Sequence, residues 1–318
     1  MTTKPRVLLT NPIHPALQPV LAEQCDVVLA PHTSAATLTR LVANVDALMV
    51  RAQLPPTIFD DAPRLRAVVR HGVGLDMIPV EAATAKGIPV ANLPGSNTQA
   101  VVEYCLGAML QLRRGLAGLD ASLRQHGWAT TRPLADSGTE LGGSTLGIVG
   151  VGAIGGRLAT FASALGMGVL GLTRRPDILP PGVQAADKAT LFAQSDVVVL
   201  ACPLNEQTRG LVDAATLASM KSNALLINVS RGPVIDTPAL LAALRAGRLG
   251  GAALDVHDKQ PLTGSEPVFD APNLLLTPHV AGITDSSMRA MSEGAVATVL
   301  ALLRGERPSN VVNPQVFR

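Results

Sequence analysis

A glycine motif near the middle of the 318-residue chain carries the clearest chemistry. The string GVGAIG follows the apolar run TLGIV and opens the helical pattern AIGGRLATFASALG. In such a turn the first glycine permits a tight bend, the second lets the backbone approach a pyrophosphate, and the third lets helix and strand pack closely. The helix N-terminus presents about half a positive charge to the anion. The motif therefore predicts a dinucleotide site that includes Gly150, Gly152, Ala153, Ile154 and Gly155.

The end of the following strand predicts which dinucleotide binds. An Asp or Glu about 20 residues after the first glycine would bind the ribose 2′-hydroxyl of NAD(H). Here Thr173 occupies that place and is followed by Arg174 and Arg175. Because guanidinium groups bind a 2′-phosphate through charge-assisted hydrogen bonds of about 1.5–3 kcal/mol, we expect NADP(H) to be preferred, with NAD(H) possible. The alternative is that both arginines are solvated loop residues, with Asp177 as a late substitute for the acid.

The elements that must position this site alternate between short β-branched runs and Ala/Leu-rich helical stretches, which is typical of βαβ units around parallel sheets. The first series of predicted strands is 6–10, 26–30, 47–50, 66–70 and 89–93. The second is 145–150, 168–173, 196–200, 224–229, 251–256 and 273–278. These runs are continuously apolar, as expected for strands covered on both faces. The sequence thus predicts an α/β protein with two doubly wound parallel-sheet domains.

Two helical patterns mark where the chain passes between the domains. Residues 97–125 have apolar positions at helical spacing with Asn97 as the expected cap, which predicts one long connecting helix. A second pattern covers 284–304. We therefore expect a discontinuous first domain, residues 1–97 and 288–318, and a dinucleotide-binding domain over residues 98–287.

Composition excludes several classes of protein. Lys+Arg 26 against Asp+Glu 24 gives a net charge of +2, so no polyanionic partner such as nucleic acid is expected. Cys25, Cys105 and Cys202 lie far apart in apolar runs, which indicates buried thiols and neither disulfides nor a metal site. The glycine-dense run 141–173 is predicted to be protein interior and not a membrane span, and without a signal-peptide pattern we expect a cytoplasmic location.

Almost end to end, the chain resembles the D-isomer specific 2-hydroxyacid dehydrogenase family, in its glyoxylate/hydroxypyruvate reductase-like form. The segments that carry the likeness are HGVGLDMI (71–78), VANLPGSNTQAVVEY (90–104), CPLNEQTRGLVD (202–213), INVSRGPVIDTPALLAAL (227–244), GAALDVHDKQPL (251–262) and TPHVAGIT (277–284). The resemblance implies a flavodoxin-like substrate domain built from both chain ends plus a Rossmann cofactor domain. It also implies a homodimer through the long helical arms, and reversible reduction of a 2-keto acid to the D-2-hydroxy acid.

The resemblance assigns roles to matching residues in the substrate site. Arg231 in NVSRG looks like the catalytic arginine, whose planar fork can bind the substrate carboxylate and keto oxygen together. A structural arginine paired with Asp236 is the alternative. Val73 and Gly74 look like the turn whose backbone N–H groups bind the carboxylate, with Arg51 nearby in a binding, solvated or interdomain role.

His279 in TPHVAG matches the family's proton donor, a role suited to imidazole because its pKa begins at about 6.5. The same resemblance places further residues along the cofactor, although packing alone could explain most of them. They are Asp255, Cys202, Pro203, Thr208, Val229 and Val101.

One position departs from the family pattern. A Glu normally hydrogen-bonds the catalytic His, but here Gln260 occupies its place, and Asp258 or His257 could assist instead. A neutral Gln can orient the ring without stabilising imidazolium, so we expect reduction to favour lower pH than with Glu. A Gln at this position also resembles the formate dehydrogenases of this superfamily, in which a Gln lies beside the catalytic His. Hydride abstraction from formate is therefore a second possible activity. A dinucleotide-sensing, corepressor-like binding protein is the third possibility.

Overall fold

The computed structural model describes residues 4–317 and divides the chain into two compact units. One unit is Met1–Asn97 with Ile283–Arg318, and the other is Thr98–Gly282. Over residues 4–317 the chain forms twelve strands and ten α-helices. The strands are β1 (Arg6–Leu9), β2 (Asp26–Leu29), β3 (Ala47–Val50), β4 (Ala67–Arg70), β5 (Val90–Ala91), β6 (Thr145–Val149), β7 (Gly168–Leu172), β8 (Val183–Ala185), β9 (Val197–Leu200), β10 (Leu225–Asn228), β11 (Gly251–Leu254) and β12 (Leu274–Leu276).

The α-helices lie between these strands and after the last one. They are α1 (Gln18–Gln24), α2 (Ala35–Val42), α3 (Val80–Ala85), α4 (Thr98–Arg114), α5 (Leu116–Thr131), α6 (Ala153–Ala164), α7 (Lys188–Gln194), α8 (Ala214–Ser219), α9 (Thr237–Arg245) and α10 (Asp285–Leu303). Thr284 caps α10 through a reciprocal capping box with Ser287, so this helix begins where the sequence predicts.

The sheet of the first unit has the strand order β2-β1-β3-β4-β5, with every neighbouring pair parallel. This is the flavodoxin-like order. Successive residues of β1 contribute to opposite faces, since Val7 and Leu9 belong to one apolar cluster and Leu8 to the other. A core on each face explains why the central strands are continuously apolar.

The sheet of the second unit has the order β12-β11-β10-β9-β6-β7-β8, again with all neighbours parallel. Strand order reverses between β6 and β9, the switch point at which ligands of Rossmann folds bind. The two sheets confirm the predicted α/β class with two doubly wound parallel-sheet domains.

Two sequence predictions about individual elements were wrong, and one strand was missed. The long helix predicted over 97–125 is two helices, because Gly115 adopts a φ of 60° and separates α4 from α5. The expected cap is not made, since the Asn97 side-chain oxygen is buried without a hydrogen-bond partner. Strand β8 was missed because its sequence, Val-Gln-Ala, lacks an apolar run, and the edge strands β2, β8 and β12 are only partly buried.

In residues 4–317 the structure contains no helix that is long and apolar enough to cross a membrane.

Candidate functional site

The glycine turn connects β6 to α6 with the geometry that a pyrophosphate requires. Gly150 has a φ of 93°, and a Cβ there would lie 2.8 Å from the backbone nitrogen of Cys202. A Cβ on Gly155 would collide with the Gly150 carbonyl, so this residue brings α6 against the turn. At Gly152, by contrast, a Cβ would meet no described atom within 4 Å. The first turn of α6 has neither a capping side chain nor an acidic residue, so its N–H groups can bind an anion.

The end of β7 has the predicted basic character. Thr173 is half-buried, and its Oγ1 accepts a hydrogen bond from the Arg175 backbone N–H at 3.2 Å. Arg174 and Arg175 are exposed, and neither guanidinium pairs with a carboxylate within residues 4–317. Asp177 lies on the exposed turn that follows. No carboxylate therefore occupies the end of β7 itself, and the residues present fit a 2′-phosphorylated dinucleotide.

The loop after β9 contains three of the predicted cofactor-lining residues. Thr208 Oγ1 donates to the Pro203 carbonyl at 2.7 Å, which closes the loop. Asn205 Oδ1 accepts from the backbone N–H groups of Gln207 and Thr208. Cys202 is buried, and burial raises the pKa of its thiol. Asn205 was missed by sequence reasoning, although an Asn between a Pro-Leu pair and a polar run is a turn signal.

Two other predicted cofactor residues have packing roles in this unit. Val101 on α4 is buried within the apolar core, and Val229 follows β10 and donates its N–H to the Leu200 carbonyl at 3.2 Å. Core packing explains the described contacts of Val101, and pairing with the neighbouring strand explains those of Val229.

Arg231 is held by the residues at the end of β10. Asn228 is fully buried, and its side-chain amide donates to the Arg231 carbonyl at 2.9 Å. Asn228 Oδ1 accepts from both the backbone and the hydroxyl of Ser230. A Cβ on Gly232 would collide with the backbone of His257, so the chain after Arg231 packs directly on the loop after β11. Asp236, the alternative partner of Arg231, caps α9 by accepting from Ala239 N–H.

Asp255 fixes the loop that carries His279. Its buried carboxylate accepts from the backbone N–H groups of Val280 at 2.7 Å and Ala281 at 2.9 Å. Thr277 Oγ1 also donates to it, at 2.7 Å. Because the single Thr277 hydroxyl hydrogen is used there, the Tyr104 hydroxyl must donate to Thr277 Oγ1 at 2.7 Å. Burial raises the pKa of Tyr104 to about 12, so this hydroxyl keeps its proton at neutral pH.

His279 lies in this loop with a φ of 58°, a left-handed conformation that is unusual for a non-glycine residue and concentrates at active sites. Its Nδ1 is 2.9 Å from Gln260 Oε1, and both residues are exposed. His257 does not take this place, because its Nε2 bonds the Thr277 carbonyl at 3.0 Å. Asp258 is exposed on the same loop.

The second unit therefore brings its predicted catalytic and cofactor-binding residues to one edge of the sheet. Arg231 follows β10, Asp255 follows β11 and His279 follows β12, and these three strands are adjacent and parallel. The glycine turn follows β6, which is parallel to the same sheet. Carboxyl ends of parallel strands meet at one edge, the edge at which open α/β sheets bind ligands.

The first unit holds the predicted carboxylate-binding turn. Asn92 donates to the Val73 carbonyl at 2.7 Å, and Arg70 Nε donates to the Gly74 carbonyl at 2.9 Å. Within residues 4–317 the backbone N–H groups of Val73 and Gly74 have no acceptor. Successive backbone N–H groups in a turn are one of the common ways in which proteins bind an anion.

Arg51 follows β3 in the same unit. Its Nη1 donates to the Pro12 carbonyl at 3.1 Å, and the described residues provide no other acceptor for its guanidinium. Burial lowers the pKa of Arg51 from its usual value. A desolvated guanidinium with unused donors is available to an anion.

Residues 106–281 match the family model described as D-isomer specific 2-hydroxyacid dehydrogenase, NAD binding domain. A glyoxylate reductase of Thermofilum pendens is 35% identical over 326 residues, which covers 99% of this chain and 96% of that protein.

This chain belongs to the D-isomer specific 2-hydroxyacid dehydrogenase family.

Solved structures agree with that assignment to the 2-hydroxyacid dehydrogenases. The NADPH-dependent glyoxylate/hydroxypyruvate reductase of Sinorhizobium meliloti, solved with NADP and malonate, is 30% identical with a TM-score of 0.88 and covers 99% of both chains. A protein of Thermus thermophilus is 34% identical with a TM-score of 0.88, covering 96% of this chain and 99% of that one. The chain is thus an oxidoreductase that uses a nicotinamide dinucleotide.

Sequence reasoning missed several residues that support the site of this dehydrogenase. Asn228, Ser230, Thr277 and Tyr104 form hydrogen bonds in the loops that carry Arg231 and His279, or directly beside them. A polar residue at the end of an apolar run, as in ALLINV, is the signal that could have identified Asn228. Tyr104 gave no such signal, because its partner Thr277 is remote in sequence.

The buried residue His71 should make the stability of this 2-hydroxyacid dehydrogenase depend on pH. Burial, reinforced by the Arg51 and Arg70 charges, lowers the pKa of His71 to about 4, and the residue is 2% exposed. The unfolded chain binds a proton near pH 6.5 and the native chain only near pH 4, so stability falls as pH decreases through this window. We expect His71 to account for a loss of about 3 kcal/mol in the free energy of unfolding between pH 7 and pH 4.

Urea unfolding of the wild type and of His71→Gln across this pH range measures the effect. The stability advantage of the wild type over the variant should shrink as the pH is lowered. Parallel stability curves for the two proteins would contradict the prediction.

Proposed function

We propose that this protein is a 2-keto acid reductase that prefers NADPH and converts a small acid of the glyoxylate or hydroxypyruvate type to the D-2-hydroxy acid. The observation that supports it best is the placement of Arg231 after β10 and of His279 after β12, the two parallel neighbours of β11, at the sheet edge where the glycine turn lies. The names of the relatives favour the same substrate class. When bound, the nicotinamide would supply the hydride.

The substrate carboxylate would be bound by the backbone N–H groups of Val73 and Gly74, with Arg51 contributing positive charge. The Arg231 guanidinium would bind the carboxylate and the keto oxygen together, which fixes the carbonyl for attack and stabilises the negative charge that develops on oxygen. Asn228 would keep Arg231 in place through its bond to the Arg231 carbonyl.

His279 would protonate the alkoxide oxygen. With Nδ1 donating to Gln260 Oε1, the proton that can be transferred is on Nε2 of the doubly protonated ring. The Asp255 carboxylate would position the ring indirectly, because it binds the N–H groups of the two residues after His279.

Gln260→Glu should move the pH profile of keto-acid reduction upward by about one unit. A carboxylate at the same position, 2.9 Å from Nδ1, stabilises imidazolium and raises the pKa of His279, so the proton remains available at higher pH. The measurement is kcat/KM for reduction between about pH 5 and pH 9. Gln184→Glu on the exposed edge strand β8 is the matched control and should leave the profile in place. An unmoved profile in the Gln260 variant would show that this residue does not tune the donor.

Gln260 beside His279 also favours a second candidate function, hydride abstraction from formate, in which no proton has to be relayed. The discriminating experiment follows nicotinamide absorbance with glyoxylate, hydroxypyruvate and formate, using NADPH and NADH in parallel. Reduction of a 2-keto acid with NADPH supports the proposed function. Reduction of NADP by formate would replace it, and tight dinucleotide binding without any turnover would indicate the dinucleotide-sensing alternative.

We also propose that the protein is a homodimer that uses the helical arm α4–α5. Large apolar side chains on this arm are exposed, among them Trp128 at 72% and Leu116 at 53%. Surfaces of this kind commonly mark protein interfaces. Light scattering that finds only monomer would exclude the dimer.

A further inference from the structure

The turn formed by residues 71–74 has every backbone carbonyl bonded to another part of the first unit. Arg70 binds two of them, because its Nη1 donates to the His71 carbonyl at 2.8 Å and its Nε to the Gly74 carbonyl at 2.9 Å. The Val73 carbonyl accepts from the Asn92 side-chain amide at 2.7 Å. The remaining carbonyl, of the residue after His71, accepts from a backbone N–H at 2.9 Å.

The polar groups of this turn that remain available are the N–H groups of Val73 and Gly74. Neither has an acceptor within residues 4–317, and both residues are only half-buried. A carbonyl oxygen carries a negative partial charge, so a carbonyl that rotated toward these donors would repel an anion bound there. Side chains that hold the carbonyls elsewhere therefore pre-organise the two N–H groups for a carboxylate.

Arg70 also joins the turn to the end of β3. Its Nη1 donates to the Val50 carbonyl at 2.9 Å, directly before Arg51 in the sequence. The guanidinium packs on the turn itself, since a Cβ on Gly72 would lie 3.1 Å from Arg70 Cζ. Two different nitrogens thus hold three carbonyls, an arrangement that the planar fork of arginine allows and the single nitrogen of lysine does not reproduce.

We propose that Arg70 and Asn92 are positioning residues of the substrate site, which set the affinity for the acid by holding the carbonyls of the 71–74 turn away from its carboxylate. The inference rests on the proposed function, because it takes the Val73 and Gly74 N–H groups as the carboxylate-binding donors. Neither positioning residue acts on the reacting carbonyl. Substrate affinity should therefore depend on them, while the rate of hydride transfer to bound substrate should not.

Arg70→Lys keeps a positive charge beside the turn but cannot bind three carbonyls from two nitrogens. We expect the KM for glyoxylate and the Kd for oxamate, an unreactive analogue, to rise at least about tenfold, as for the loss of one hydrogen bond to a charged group. The values of kcat and of the Kd for NADPH should stay within a few-fold. Steady-state kinetics and calorimetric titration of oxamate into the NADPH-bound enzyme measure these constants.

Asn92→Ala releases the Val73 carbonyl and should change the same two constants in the same direction. The backbone bonds that Asn92 makes with Asn310 do not involve its side chain and should persist. Arg40→Gln, on the exposed face of α2, is the matched control and should change none of the constants.

The outcomes separate positioning from a general loss of structure, which would lower kcat and NADPH affinity as well. Wild-type values of KM and oxamate Kd in Arg70→Lys would overturn the role of Arg70, as would a fall in kcat at unchanged KM. Should Arg70→Lys not fold, Asn92→Ala decides the proposal by the same criteria. Wild-type protein that binds oxamate but reduces no 2-keto acid would refute the proposed function, whereas reduction of glyoxylate with unchanged constants in both variants would refute only this inference.

Discussion

His279→Gln should lower kcat for 2-keto acid reduction by about 10²–10⁴-fold, the usual contribution of a positioned general acid. The variant retains a side chain that can bond Gln260 but has no titratable proton for the alkoxide. The left-handed φ of 58° at this residue belongs to the backbone, which Asp255 holds through the next two N–H groups. The loop should therefore keep its conformation, and dinucleotide affinity should be little changed.

Single-turnover and steady-state reduction assays measure this loss, and titration of dinucleotide fluorescence checks that binding is intact. His32→Gln, in the exposed loop before α2, is the matched control and should retain full activity. If His279→Gln stayed within a few-fold of the wild type, His279 could not be the proton donor.

The second large effect concerns cofactor choice. Replacing Arg174 and Arg175 together with alanine should raise the Kd for NADPH by about 10²–10⁴-fold and leave the Kd for NADH within a few-fold. Each guanidinium is expected to contribute about 1.5–3 kcal/mol through a charge-assisted bond to the 2′-phosphate, which NADH lacks. Thr173 provides no carboxylate that would repel this phosphate.

Fluorescence titration with both dinucleotides measures the two affinities directly and does not depend on turnover. Arg248→Ala removes an equally exposed arginine of the same unit and should change neither affinity. Equal weakening of NADPH and NADH binding would mean that the two arginines act only through general charge. Tighter binding of NADH than NADPH by the wild type would overturn the cofactor preference itself.

Local signals predicted most of the fold because the buried strands are unusually uniform. Runs such as DVVVL and ALLINV are apolar throughout, so the strands at the centres of both sheets were predicted to within a residue or two. Strand β8 was not, because an edge strand of three residues needs no apolar run. The break at Gly115 was missed as well, since a single glycine in a helical pattern is compatible with either a continuous or an interrupted helix.

Sequence alone could predict those parts of the candidate site in which the functional residue lies within a short, recognisable motif. The glycine turn, Arg231 and His279 all lie in short strings next to strand ends, so their elements could be identified from sequence. The Asp255 network was not predictable in detail, because it joins Tyr104, Asp255 and Thr277 across long separations in the chain.

A crystal structure with NADP and oxamate, an unreactive analogue of a 2-keto acid, tests the central claim most directly. We predict that the Arg231 guanidinium and His279 Nε2 both lie within about 3 Å of the analogue's carbonyl oxygen, with the carbonyl carbon about 3–3.5 Å from C4 of the nicotinamide. A complex in which either side chain points away from that carbonyl, or in which the dinucleotide binds elsewhere than on the Gly150–Gly155 turn, would contradict the account.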